Sequence, residues 1–217
     1  MSIFAKAQKS FIAAFVKKIF RIEIINPENE PDLSSYITCA NHSSNWDPVL
    51  LGACMNKPLR YMAKAELFKV PLLKNLVKWF GAYPVNRMGA DVASVKTTIN
   101  ILEQGEIVGM FPQGSRSRGV HPKDAELKQG VAMIAVRAKT GILPVTIISK
   151  KYKVRLFHKV IIVFGRYMPY EELIKEDNAE SGDFKINESM NLYKKVMEKV
   201  YGEILANYEK YDVINKK

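Results

Sequence analysis

Tyr36-Ile37-Thr38-Cys39-Ala40-Asn41-His42-Ser43-Ser44-Asn45-Trp46-Asp47-Pro48 is the stretch on which the fold turns. Residues 36–40 are short and nearly all apolar, the pattern of a strand buried on both faces. A polar segment follows, and then Asp47-Pro48, which reads as a helix N-cap with a proline in the first turn. A strand, a polar loop and a helix in that order are the repeating unit of an α/β sheet. Working outward, similar strand-like runs lie at 22–25, 59–62, 83–86, 107–111, 143–149 and 154–164. Helical patterns lie between them, at 48–55, 71–80, 90–103 and 127–139. The spacing of Tyr193, Val196, Met197, Val200, Tyr201, Ile204, Leu205 and Tyr208 predicts a last helix packed against the sheet. Residues 178–183 are polar, with a glycine, and read as a loop. The expected fold is therefore α/β, with a mixed, largely parallel central sheet covered by helices on both sides.

The chain has 217 residues, enough for one such domain. Hydrophobic residues make up 47% of it and charged residues 25%, which excludes disorder over most of its length. Two cysteines, Cys39 and Cys54, cannot form a disulfide scaffold or a four-cysteine zinc site, and a reducing compartment suits them. No apolar run approaches the roughly 18 residues of a membrane span. The N-terminal apolar stretch is too short, and too closely flanked by lysines, for a cleaved signal peptide.

Lys and Arg number 33 against 22 Asp and Glu, a net charge of +11, which points to an anionic partner. The excess is local. Residues 1–22 carry Lys6, Lys9, Lys17, Lys18 and Arg21 and no acid. Residues 57–87 carry seven basic side chains against Glu66 alone, interleaved with Phe68, Leu72, Leu73, Leu76, Val77, Trp79 and Phe80. Cations among large aliphatics suit a lipid interface better than a nucleic-acid groove, where leucines have no stacking role. On a helical wheel Phe4, Ala7, Phe11, Ala14, Phe15 and Ile19 share a face, with Lys6, Lys9 and Lys17 opposite. Residues 1–21 thus read as an amphipathic helix docking on a membrane, and 22–217 as a single α/β domain. The competing reading of that helix is packing against the protein's own core.

Four segments carry the chemistry. In the first, His42 and Asp47 would point about 140° apart on a continuous helix, but across a loop they can pair. A carboxylate on one imidazole nitrogen sets the tautomer and leaves the other to act as a general base. The second, Phe111-Pro112-Gln113-Gly114-Ser115-Arg116-Ser117-Arg118, sets a tight turn beside guanidinium groups that match phosphate. The glycine spacing from Gly109 to Gly114 lacks the Lys-Ser/Thr of a nucleotide loop. No G-x-S-x-G elbow of a serine esterase is present. The third is Gly81-Ala82-Tyr83-Pro84-Val85-Asn86-Arg87, and the fourth Gly141-Ile142-Leu143-Pro144-Val145-Thr146, a turn into an apolar strand for which core packing is the favoured reading.

Taken together, "NHSSNWDP", "GAYPVNR", "FPQGSRS" and "ILPVTI" resemble, in order, the four motifs of the lysophospholipid acyltransferase family. Within it they are most similar to the bacterial 1-acyl-sn-glycerol-3-phosphate acyltransferases. The likeness spans about residues 22–165. Gln113 departs from the family's usual glutamate and Ser115 from its usual threonine. The resemblance implies a glycerolphosphate acyltransferase-like fold and transfer of a fatty acyl group to the sn-2 hydroxyl of lysophosphatidic acid, giving phosphatidic acid. The acyl donor would be an acyl carrier protein or coenzyme A thioester, serving as co-substrate, with no cofactor and no metal. His42 and Asp47 would be catalytic, and Arg87, Gln113, Gly114, Ser115 and Arg116 would bind the substrate. The partners implied are lysophosphatidic acid, the thioester and an anionic membrane surface, not nucleic acid. The expected location is peripheral, on the cytoplasmic face of the cell membrane. The alternative on the same fold is a non-catalytic lysophospholipid-binding protein.

Overall fold

The computed structural model describes residues 3–70, 74, 77, 78, 80–85, 92–175 and 186–216. Its elements run α1 (Ile3–Ile19), β1 (Ile22–Ile25), β2 (Ile37–Ala40), α2 (Asp47–Cys54), β3 (Leu59–Lys64) and β4 (Ala82–Val85). They continue with α3 (Val92–Glu103), β5 (Ile107–Met110), α4 (Gly130–Arg137), β6 (Ile142–Ser149), β7 (Val160–Phe164), α5 (Tyr170–Ile174) and α6 (Ile186–Tyr211). The seven strands form one sheet in the order β1-β7-β6-β2-β5-β3-β4. Every neighbouring pair is parallel except β6 and β7. The expected mixed, largely parallel sheet is what forms.

Both faces of the sheet are covered. Along β2 and the residue before it, Ile37 and Cys39 join a core with α3, α4 and α6, while Tyr36 and Ala40 join a second core with α1 and α2. Strands buried on both sides need apolar residues at every position, which explains why these runs lack polar alternation. The α6 stripe is buried along its length apart from half-buried Leu205. β6 is buried at all eight positions, so its motif is core, as expected.

Several boundaries differ from the sequence reading, those of most strands by only one or two residues. The run at 154–164 is a strand only from Val160. Antiparallel β6 and β7 require the chain to reverse, and Lys151, Tyr152 and Phe157 take positive φ to do so. The helix expected at 127–139 starts at Gly130, because Lys128 is tied by its amide to the Pro112 carbonyl. The helix expected at 48–55 runs instead from Asp47 to Cys54, with Met55 extended beyond its end. The helix expected at 71–80 lies only partly within the described residues, where Lys74, Val77 and Lys78 are helical. Ala90, at the start of the 90–103 helix, and the loop at 178–183 lie outside them.

α1 resolves its two readings by using different stripes. Val16 and Phe20 are buried and Ile12 and Ala13 pack beside them, so the helix packs on the core from Ile12 onward. Phe11 and Phe15, on the face predicted to be apolar, are exposed by 75% and 56%. Ile19, placed on that same face, is instead half-buried.

Gly109 in β5 faces Tyr61 so closely that a Cβ there would lie 2.3 Å from the ring. Gly109→Ala is therefore expected to cost about 1–3 kcal/mol through overpacking. The check is a lower urea midpoint at unchanged m-value.

Candidate active site

β2 and β5 are parallel neighbours, and the two polar segments leave their C-terminal ends side by side. That edge is where open α/β sheets place their ligands. The departure from β2 is made possible by Asn41. Its Nδ2 donates to the Ile147 carbonyl at 2.9 Å, and its Oδ1 accepts from the Ile147 amide at 2.7 Å. The side-chain amide thus stands in for the next peptide of β2 against β6. The main chain is freed to turn away while both buried backbone groups stay paired.

The turn brings His42 onto Asp47. His42 Nδ1 lies 2.8 Å from Asp47 Oδ2. The same oxygen accepts from the Ser43 amide at 2.6 Å and the Ser44 amide at 2.7 Å. Asp47 was expected to cap α2, but it makes no such cap. Its carboxylate folds back over the preceding loop, whose amides and imidazole are the nearer donors. Asp47 is fully buried and His42 has 14% of its side chain exposed. Because a carboxylate can only accept, Nδ1 carries the proton and Nε2 is left with its lone pair. The ring is held in plane by Phe111, stacked at 4.2 Å between centroids and tilted by 21°. The Ser117 amide donates to the His42 carbonyl at 2.9 Å, joining the two loops.

The second loop divides its residues. Gly114 turns with φ +66°, its amide returning to Phe111 O at 3.1 Å. Gly114, Ser115 and Arg116 are exposed. Among the described residues Arg116 makes no ion pair, so its guanidinium is available to an anion. Gln113 is turned inward, 4% exposed, with Nε2 2.9 Å from the Tyr201 hydroxyl of α6. Arg87 lies outside the described residues. The Lys128 side chain, which sequence reading did not single out, packs over Gly114 and adds a cation to the turn. Tyr201 was also missed, because its place in an apolar stripe signals only packing. His42, Ser43, Gln113 and Ser117 line a small pocket with Asn41, Tyr152 and Tyr208.

Neither cysteine competes as a nucleophile. Burial raises Cys54 to about 12 and pushes Cys39 further, so both stay as thiols. Among the described residues no three His, Cys, Asp or Glu side chains gather where they could hold a metal ion.

The C-terminal edge of this α/β sheet thus presents a carboxylate-bound imidazole beside a cationic turn. Residues 21–148 match the Acyltransferase family, and the chain belongs to that family. It is 36% identical over 124 residues to a 1-acyl-sn-glycerol-3-phosphate acyltransferase of Bacillus subtilis, an alignment covering 57% of this chain and 60% of that protein. It is 38% identical over 114 residues to the Streptococcus pneumoniae protein of the same name, covering 52% and 41%. These matches thus span less than two thirds of either relative. The crystal structure of the 1-acyl-sn-glycerophosphate (LPA) acyltransferase of Thermotoga maritima superposes with a TM-score of 0.67 at 25% identity, covering 93% of this chain and 80% of that one.

Asn41→Ala would strand the Ile147 amide and carbonyl. We expect a stability loss of about 2 kcal/mol or more, measured by urea denaturation.

Proposed function

We propose that this protein transfers a fatty acyl group from a thioester to the sn-2 hydroxyl of 1-acyl-glycerol-3-phosphate, producing phosphatidic acid. The observation that carries the reading is the 2.8 Å contact between His42 Nδ1 and a buried carboxylate, which leaves Nε2 as the base. Nε2 takes the hydroxyl proton as the oxygen attacks the thioester carbonyl. Asp47 stabilises the imidazolium that results. The tetrahedral intermediate then collapses, the C–S bond breaks, and the imidazolium returns its proton to the departing thiolate. No covalent acyl-enzyme is needed, in keeping with two inert thiols. Arg116, with Lys128 packed over Gly114 of the same turn, attracts the acceptor's phosphate, and Arg87, Gly114 and Ser115 complete the proposed binding set. The donor is an acyl carrier protein or coenzyme A thioester.

The acceptor lives in a leaflet, and the surface suits one. α1 exposes Phe11 and Phe15, with exposed Lys18 following on the same side of the helix. The β6–β7 loop exposes Leu156 and Phe157, and residues 150–159 hold five Lys or Arg and no acid. The Phe157 amide donates to the Ile19 carbonyl at 2.9 Å, fastening the loop to the end of α1. Phe20 of the same segment meets Trp46, next to Asp47, at 5.3 Å between ring centroids. This continuous aromatic and cationic rim is the proposed docking face for an anionic membrane, with residues 1–21 as its main part. No helix among the described residues is long and apolar enough to span a bilayer. Attachment at the cytoplasmic face is part of the same proposal.

His42→Ala, folded by circular dichroism, should lose acyl transfer by at least about 10²-fold. Lysolipid binding with no turnover in the unmodified protein would identify a non-catalytic lipid binder instead. Arg116→Ala should raise the KM for lysophosphatidate roughly tenfold, and unchanged saturation would exclude it from the clamp. For docking, deleting α1 would remove core residues, so the cleaner variant is Phe11→Glu with Phe15→Glu. Its partitioning onto anionic vesicles should fall by about tenfold or more without loss of fold. Equal co-sedimentation would dismiss the helix as the contact.

A further inference from the structure

The inward turn of Gln113 sets up a chain of hydrogen bonds whose proton order is forced. Tyr201 Oη lies 3.1 Å from the Pro122 carbonyl, an atom that can only accept. Tyr201 has one proton, and it goes there. Burial raises this phenol well above its ordinary range, so that proton is always present. The hydroxyl oxygen is then limited to accepting, and what faces it from Gln113 must donate. The amide nitrogen does so at 2.9 Å. The reverse orientation would set two acceptors against each other. Gln113 Oε1 is accordingly left buried without a partner on the far side. All three groups are enclosed, Gln113 at 4% and Tyr201 at 3% exposure, so water cannot rearrange the set.

We infer that Tyr201 is a positioning residue that demands a donor at position 113 and thereby holds the turn carrying Gly114, Ser115 and Arg116 in place. An amide meets this demand and an ionised carboxylate does not. Here the glutamine is matched to α6, and the departure from the family's glutamate is a requirement of this chain's own packing, not a sign of lost activity. Tyr201 lies outside residues 21–148, so the long last helix acts on the proposed phosphate-binding turn from beyond the segment that matches the family. The part concerning substrate rests on the proposed acyl transfer. The part concerning proton order does not.

Three variants test it. In Gln113→Glu the side chain can donate to Tyr201 only as the neutral acid. Burial and that bond favour the neutral form in the folded state and raise the folded pKa above the unfolded one. Stability should therefore match the unmodified protein most closely in mild acid and fall behind it as pH rises through the folded value. Gln113→Met, of similar size and without ionisation, should show a deficit that does not vary with pH. Thermal unfolding across pH 5–9 reads this without any turnover. A Gln113→Glu deficit that is flat with pH, or absent, overturns the proton assignment whether or not acyl transfer is found. For positioning, Tyr201→Phe should raise the KM for lysophosphatidate several-fold with kcat within about twofold and the thioester KM unchanged. A fall in kcat alone, or no change in either constant, would remove Tyr201 from the role.

Discussion

A negative charge with no access to water must find its hydrogen bonds inside the protein, and the site is built around one such charge. Asp47 is fully buried, and a single oxygen of its carboxylate collects the Ser43 amide, the Ser44 amide and His42 Nδ1. Removing these donors would leave a buried charge unpaired, which costs about 3–5 kcal/mol. The path of residues 41–47 follows from that requirement. So does the tautomer of His42, and with it the nitrogen left for chemistry. Asn41 supplies the other half of the constraint by closing the edge of β2 at the point where the chain leaves the sheet.

The second loop is held from three directions. Its Ser117 amide ties it to His42, its Pro112 carbonyl to Lys128, and its Gln113 amide to Tyr201 of α6. Inward and outward residues then alternate in function. Pro112 and Gln113 are buried and anchor the turn, while Gly114 to Arg116 are exposed at the surface. A cationic turn on a rigid base would lose little freedom on taking up the proposed phosphate, which is the economy of preorganised sites. The same logic joins the surface to the centre. Phe157, Ile19, Phe20 and Trp46 form a run of contacts from the exposed aromatic rim to the residue before Asp47.

Much of this was legible in the residue order. Buried parallel strands announce themselves by unbroken apolar runs, and the strand–loop–helix pattern placed His42 and Asp47 at a strand end without any coordinates. The four motifs in sequence identified the family. What could not be read were features that depend on which atoms meet. The aspartate looked like a helix cap because Asp-Pro usually is one, yet its Oδ2 found nearer donors behind it. The run at 154–164 looked like one strand because Val154, Leu156 and Phe157 are apolar, yet an antiparallel return to β6 needed those residues for its turn. The α1 wheel gave one apolar face, while a second stripe, Ile12, Val16 and Phe20, was the one that packed.

The amino-acid order by itself determined the class of fold, the pairing of an imidazole with a carboxylate, and the cationic aromatic character of the surface, since these follow from periodicity, spacing and composition. Tertiary structure alone decided that Gln113 faces α6, that Lys128 joins the turn and that Asn41 replaces a peptide of β2. Those outcomes rest on contacts between residues 14 to 106 positions apart, and a hydrogen bond across such a separation leaves no local trace in the chain.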